Sequence, residues 1–182
     1  MADNTSSAMA SLLGAQDVTD KEVLHAMNVA VLAMLLGRQF DLSQDEVKIL
    51  GIAGLLHDIG EQLLPPDLIE KRGLRMTDYD RKAFQQHIEL GLNILSQFPE
   101  LPNTVTPIIK QHHERIDGSG YPDGLRGNQL SLSSKILMVV EEYESLINAP
   151  RIRDNKSPSE ALSHLYLIIK TIYPEEVVIA LI

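Results

Sequence analysis

The sequence predicts an all-α fold, and three observations carry that prediction. Apolar residues recur at helical spacing in one segment after another. No stretch alternates with the period of two that a half-buried strand requires, and helix start signals precede several of the apolar runs. At 182 residues the chain is long enough to bury a core as one domain. Its 44% apolar and 23% charged residues give the balance of a soluble globular protein, so neither a disordered nor a fibrous chain is expected.

The elements follow in order. Residues 1–16 are small and polar, without a basic start or a signal-like apolar core, and read as a flexible tail or linker ahead of a single domain over 17–182. Thr19-x-x-Glu22 is a capping-box pattern that opens an apolar helix through Gly37. Ser43-x-x-Glu46 opens a second, which runs through Ile49, Leu50, Ile52, Ala53, Leu55 and Leu56 to the pair His57-Asp58. Gly60 and Pro65-Pro66 break the chain there. A short helix near 67–71 follows, then a long one from about Thr77 to Gln97, with His87 in mid-helix among Phe84, Leu90, Gly91 and Ile94. A helix over about 103–114 ends in His112-His113. The segment Asp117–Gly127 is loop, because its glycines and Pro122 do not fit a regular element. Residues 131–148 form an apolar helix whose carboxylates lie in its C-terminal half. Ser157-Pro158-Ser159-Glu160 combines an N-cap, a first-turn proline and a third-position glutamate, and opens a helix pair to Ile182.

Composition narrows the chemistry. With no cysteine, disulfides and thiolate zinc sites are excluded, and any metal must be held by imidazole and carboxylate, which favours Fe, Mn or a harder ion. The net charge of −9, with no basic block, argues against gripping DNA. A small phosphate ester can still bind an acidic protein where metal ions supply the positive charge. The longest apolar stretch, Val29–Leu36, is too short for membrane insertion, and a cytoplasmic location is expected.

Four of the six histidines (His57, His87, His112 and His113) fall in or between two neighbourhoods, the His57-Asp58 pair and the run from His112 to Pro122; His25 lies on the helix that precedes them, and only His164 stands apart from this series. Imidazoles and carboxylates on neighbouring helices are how helical bundles build metal sites. His57-Asp58 and His112-His113 both sit where a helix ends. In mid-helix, neighbours would point about 100° apart and could hardly share an ion. Each residue also has a plainer reading. His87 is a candidate core histidine with a hydrogen-bond partner, and His25 could bond a carbonyl. Glu141, Glu142 and Glu144 could form a solvated face. The loop could be a surface turn.

An ordered series of motifs goes further. Leu55-Leu56-His57-Asp58-Ile59-Gly60 is followed by His87 with Leu90-Gly91 and Ile94-Leu95. His112-His113-Glu114, Asp117-Gly118-Ser119-Gly120-Tyr121-Pro122-Asp123-Gly124-Leu125, and Ile136-Leu137 with Tyr143 and Leu146 come next, and then Ser157–Leu162. From about Val18 to Ile182 this series resembles the HD-GYP domain, a branch of the HD superfamily of metal-dependent phosphohydrolases. The resemblance implies a compact multi-helix bundle around a central centre of two divalent ions, usually Fe or Mn. One ion would be held by His25, His57, Asp58 and Glu141, the other by Asp58 as the bridge with His87, His112 and His113. The implied activity is hydrolysis of cyclic di-GMP to linear pGpG and/or GMP in bacterial second-messenger signalling. Gly120, Tyr121 and Pro122 would line the mouth of the site, and the same loop could face a partner signalling domain.

The chain departs from the family's pattern at several positions. Directly after His-Asp-Ile-Gly the family has a lysine on a substrate phosphate, and this chain has Glu61, at a position that otherwise belongs to the catalytic set. Two unit charges about 4 Å apart interact by roughly 4 kcal/mol at an effective dielectric of 20, so the reversed sign is expected to weaken substrate affinity or turnover. Glu141 stands where the family has aspartate, one methylene longer. Arg153 keeps a matching cation beyond that helix, and Arg151 could replace one that has moved. Lys21 occupies the place of a glutamate that supports a third ion in part of the family, so two ions are expected. These departures leave a second reading, a catalytically weakened domain that binds nucleotide or a partner.

Overall fold

A computed structural model describes residues 20–71, 76–148 and 155–181. Among these the fold is all-α, as the sequence predicts, with nine α-helices and no strand. They are α1 (Asp20–Gln39), α2 (Gln44–Leu56), α3 (Pro66–Glu70), α4 (Asp78–Phe84), α5 (His87–Leu95), α6 (Val105–Lys110), α7 (Leu132–Asn148), α8 (Pro158–Ile172) and α9 (Glu175–Leu181). Short 3₁₀ turns cover Ile59–Leu63 and Gly127–Gln129.

Caps set several of the boundaries. The Ser43 hydroxyl accepts from Glu46 N at 3.3 Å while the Glu46 carboxylate accepts from Ser43 N at 2.9 Å, and Ser157 with Glu160 repeats the exchange at the start of α8. Each such cap stabilises its helix by about 1 kcal/mol relative to alanine. Thr77 and Asp80 form a third box that opens α4. Thr19 lies outside the described residues.

One core holds the helices together. Val29, Ala33 and Leu36 of α1 meet Leu50 and Ala53 of α2, Val105 and Ile109 of α6, Ile136–Val140 of α7, Leu165 of α8 and Val177–Val178 of α9. A smaller cluster of Leu64, Leu68, Ile69 and Phe84 closes the α3–α4 end. Two glycines allow the approaches that matter for the site. A Cβ at Gly54 would lie 2.6 Å from Ala30 Cα, so α1 and α2 cross almost backbone to backbone. A Cβ at Gly60 would lie 1.9 Å from the carbonyl oxygen of His87, so the turn after Asp58 rests directly on α5.

The single helix expected from Thr77 to Gln97 is two, α4 and α5, with a break at Gln85–Gln86. His87 therefore opens a helix instead of lying in the middle of one. Its Nδ1 donates to Phe84 O at 2.7 Å, the carbonyl that would receive Ile88 N in a continuous helix, and Ile88 N turns to Gln85 O at 3.3 Å. The helix expected over 103–114 is also shorter, Val105–Lys110, and leaves the His112-His113 pair in the turn beyond it.

Candidate metal centre

Three histidines share one local construction. His57 Nδ1 donates to Gly54 O at 2.8 Å, His87 Nδ1 to Phe84 O at 2.7 Å and His112 Nδ1 to Ile109 O at 2.6 Å. In each case the ring turns back onto the carbonyl three residues earlier, at the place where a helix ends or breaks. That bond fixes the tautomer and aims the Nε2 lone pair inward. Because the chain leaves helical register there, the next residue can face the same centre, and Asp58 and His113 do so.

The aimed atoms fall into two groups around one carboxylate. Asp58, His87, His112 and His113 offer ligand atoms within 4.8 Å of one another, and so do His25, His57, Asp58 and Glu141. Asp58 Oδ1 lies 3.7 Å from His87 Nε2 and 3.5 Å from His112 Nε2, while Oδ2 lies 3.4 Å from His57 Nε2. Glu141 Oε2 reaches His25 Nε2 at 3.0 Å and His57 Nε2 at 3.1 Å, and its other oxygen accepts from Ser145 Oγ at 2.9 Å. The structure thus brings together the seven residues expected to be ligands. Their chemistry fits a divalent ion: imidazole and carboxylate donors converge in a buried space, and the Nε2 atoms of His112 and His113 have no hydrogen-bond partner.

Charge is distributed unevenly across the two groups. Burial pushes the His25 imidazole toward the neutral form, but the facing Glu141 carboxylate, with Glu144, outweighs it and raises the pKa to about 10. Burial likewise opposes the charge on His57, and Asp58 and then Glu141 hold its pKa well above the ordinary value. Glu141 is held well below the carboxylate range by His25 and His57 against the penalty of burial. His113 goes the other way, pushed well down by burial and by its neighbours His112 and His87.

The sequence reading gave no role to two carboxylates, Glu144 and Glu114. It left Glu141, Glu142 and Glu144 open to being a solvated face, but Glu141 and Glu144 are buried and only Glu142 is half-exposed. Glu144 Oε2 accepts from His25 Nδ1, and Oε1 accepts from Asn28 Nδ2 at 2.8 Å and Asn148 Nδ2 at 3.0 Å. Residues three apart share a helix face, and that spacing from Glu141 was the available signal. His25 is consequently wired to a carboxylate and not to a carbonyl. Glu114, fully buried beside the histidine pair, accepts from Asp123 N at 2.8 Å and Leu125 N at 2.9 Å, so it holds the glycine-rich loop.

The loop folds over the second group. Tyr121 N donates to His113 O at 3.1 Å, and the Tyr121 ring lies 4.8 Å from the His113 ring with 30° between planes. A Cβ at Gly120 would sit 2.4 Å from Arg115 N, so only glycine lets the loop lie this close to the backbone after Glu114. The Tyr121-Pro122 bond is cis, and Pro122 is exposed at the rim. Arg115 anchors the loop's other side, 4.7 Å over the Tyr173 ring and 3.3 Å from Glu142. Glu61 is buried in the 3₁₀ turn Ile59–Leu63, its amide bonded to Asp58 O at 2.9 Å. Arg151 and Arg153 lie outside the described residues.

Comparisons with known proteins agree with this architecture. The sequence profile of the HD domain family matches residues 7–173. Cyclic di-GMP phosphodiesterase PA4108 of Pseudomonas aeruginosa is 30% identical over 158 residues, covering 87% of this chain and 38% of that protein. The cyclic di-GMP phosphodiesterase response regulator RpfG of Xanthomonas campestris is 34% identical over 135 residues, covering 74% of this chain and 35% of the other. The chain therefore spans little more than a third of the curated relatives it matches. Among solved structures, Bd1817 of Bdellovibrio bacteriovorus, described as a HDG"Y"P protein, superposes with a TM-score of 0.74 at 22% identity, over 97% of this chain and 57% of that one. No helix among the described residues is long and apolar enough to cross a membrane.

Proposed function

The chain belongs to the HD domain family, and from that premise we propose that it is a metal-dependent phosphodiesterase acting in second-messenger signalling. Its substrate is cyclic di-GMP, hydrolysed to linear pGpG and/or GMP at a centre of two divalent ions, Fe or Mn. The observation that carries this reading is the position of Asp58, whose two oxygens face two different ligand groups. A single ion would not require both.

In this reading His25, His57 and Glu141 hold one ion, His87, His112 and His113 the other, and Asp58 joins them. A bound pair supplies Lewis acidity toward the phosphodiester and toward the attacking water. The rest is the work of the chain. The backbone carbonyls of Gly54, Phe84 and Ile109 hold three imidazoles in the orientation an ion needs, so little order has to be created on binding. Burial keeps His113 neutral and ready as a donor. Gly120 brings the loop close, and Tyr121, ring against His113, offers a face on which a guanine base can stack or an edge to hydrogen-bond. Glu61 follows Asp58 by three residues in the buried 3₁₀ turn, and a carboxylate charge facing the substrate from there would oppose the substrate's own.

The test is direct. Protein loaded with Mn²⁺ or, anaerobically, Fe²⁺ is incubated with cyclic di-GMP and, in parallel, with a mixed guanine–adenine cyclic dinucleotide. Linear products are resolved by chromatography. Faster conversion of cyclic di-GMP supports the proposal; no linear product with either ion defeats it, and faster conversion of the mixed dinucleotide moves the substrate.

A further inference from the structure

The tip of the glycine-rich loop is folded about the backbone of one residue, Arg115. Gly118 N donates to Arg115 O at 2.9 Å, and a Cβ at Gly120 would lie 2.4 Å from Arg115 N. Ser119 closes the turn on Asp117 Oδ1, through its amide at 2.9 Å and its hydroxyl at 2.7 Å. Tyr121, whose amide reaches His113 O, is thus placed from two points, His113 and Arg115. Glu114 holds the returning limb of the loop instead, at Asp123 and Leu125.

The Arg115 side chain is engaged elsewhere, against the C-terminal helices. Its guanidinium lies 4.7 Å over the Tyr173 ring, and it donates through Nη2 to Glu142 Oε2 at 3.3 Å and through Nη1 to Glu114 O at 3.2 Å. Tyr173 is the residue at which α8 ends, extended ahead of Pro174 and α9. It is buried in the main core, so the platform under the guanidinium is fixed. Burial, and then the Glu142 carboxylate, push the Tyr173 hydroxyl's pKa up, so the phenol stays neutral beneath the cation. A planar guanidinium over an aromatic face gains from the ring's negative surface. One residue earlier, Ile172 O accepts from Ile116 N at 3.0 Å. The α8–α9 junction therefore grips the loop twice, at the Arg115 side chain and at the Ile116 backbone.

We propose that Tyr173 is a positioning residue for the reaction. Its ring seats the Arg115 guanidinium, and through Arg115 it holds Gly118–Tyr121 where Tyr121 meets the nucleotide. The nucleotide rests on the phosphodiesterase reading; the support rests on the loop geometry alone.

Amide hydrogen exchange on the Mn²⁺-loaded chain reads the support without substrate. Tyr173→Leu removes the ring face and Arg115→Ala the guanidinium. Each should speed exchange at Gly118 and Tyr121 roughly 5- to 30-fold, the change that one lost contact makes in a local opening equilibrium. Amides of α2 should exchange as in the wild type, and Tyr173→Phe, which keeps the face, should leave the loop unchanged. Because Tyr173 acts through Arg115, the Tyr173→Leu, Arg115→Ala double variant should exchange no faster at Tyr121 than Arg115→Ala alone. With cyclic di-GMP, Tyr173→Leu should raise KM more than it lowers kcat, at unchanged Mn²⁺ content. Unchanged exchange at Tyr121 in Tyr173→Leu, additive effects in the double variant, or equal acceleration across α2 would overturn the proposal. A faster loop with an unaltered KM would overturn its role toward the substrate. A wild-type chain that turns over no cyclic di-GMP would overturn the phosphodiesterase reading, whereas the exchange pattern judges the support separately.

Discussion

The two ligand groups that meet at Asp58 are built by different means. Around His87, His112 and His113 the supporting bonds are local: two rings turn onto the carbonyl three residues earlier, and the third follows its neighbour out of the helix. Around His25 and Glu141 the support is long-range. Glu144 holds His25 across 119 positions of sequence, and Asn28 ties the same carboxylate back to α1. His57 belongs to this second group in space but to the first in construction. The local group needs only a helix to end at the right residue. The long-range group needs α1 and α7 packed in register, and its acidic neighbours leave it with the opposite electrostatic bias. One half of the centre therefore reports on backbone and the other on tertiary packing.

Asp58→Asn gives the largest effect, because it removes the one element both halves share. The amide keeps the shape but loses the charge that faces His57 on one side and His87 and His112 on the other. Metal content measured by plasma mass spectrometry should fall at both positions, and hydrolysis should be abolished. Retention of either ion at full occupancy would show that the halves are independent sites.

Glu144→Gln should separate them. The neutral amide accepts more weakly from His25 Nδ1 and can present its own N–H to that ring, so His25 loses its fixed orientation while Glu141 stays in place. Loss of an outer-shell partner of a metal-bound histidine typically lowers affinity by about 10–100-fold. A Mn²⁺ titration should then show one equivalent weakened by that factor and one unchanged. Equal weakening of both would remove the distinction between local and long-range support.

That distinction also explains what the sequence could reveal. Ser43-x-x-Glu46 and Ser157-x-x-Glu160 were legible as helix starts because a capping box is complete within four residues. His57, Asp58, His112 and His113 were legible as candidate ligands because they sit in short motifs at helix ends, whereas His25, within α1, and His87 entered through the family resemblance. The break before His87 was not legible, since apolar spacing continues across it and only the ring-to-carbonyl bond interrupts the helix. Glu144 was marked only by its three-residue spacing from Glu141, which gives a shared face but not burial. A glutamate among the glutamates of the C-terminal half of α7 reads as solvated until the residue it faces, far away in sequence, is known.

Glu114→Gln is expected to have the smallest effect on the centre and to extend the comparison to the loop. Glu114 follows the His112-His113 pair, yet its oxygens turn away from the ligands toward Asp123 N and Leu125 N. It is fully buried, so both bonds are shielded from water. Glutamine can satisfy one of these amides through its oxygen but sets an N–H against the other, a loss of roughly 1–3 kcal/mol confined to the loop. Faster amide exchange over residues 118–125 and a raised KM should follow, with metal content unchanged and kcat reduced less than KM rises. If the ions were lost as well, the loop would have to be counted as part of the support for His113, and the local group would be less local than its hydrogen bonds indicate.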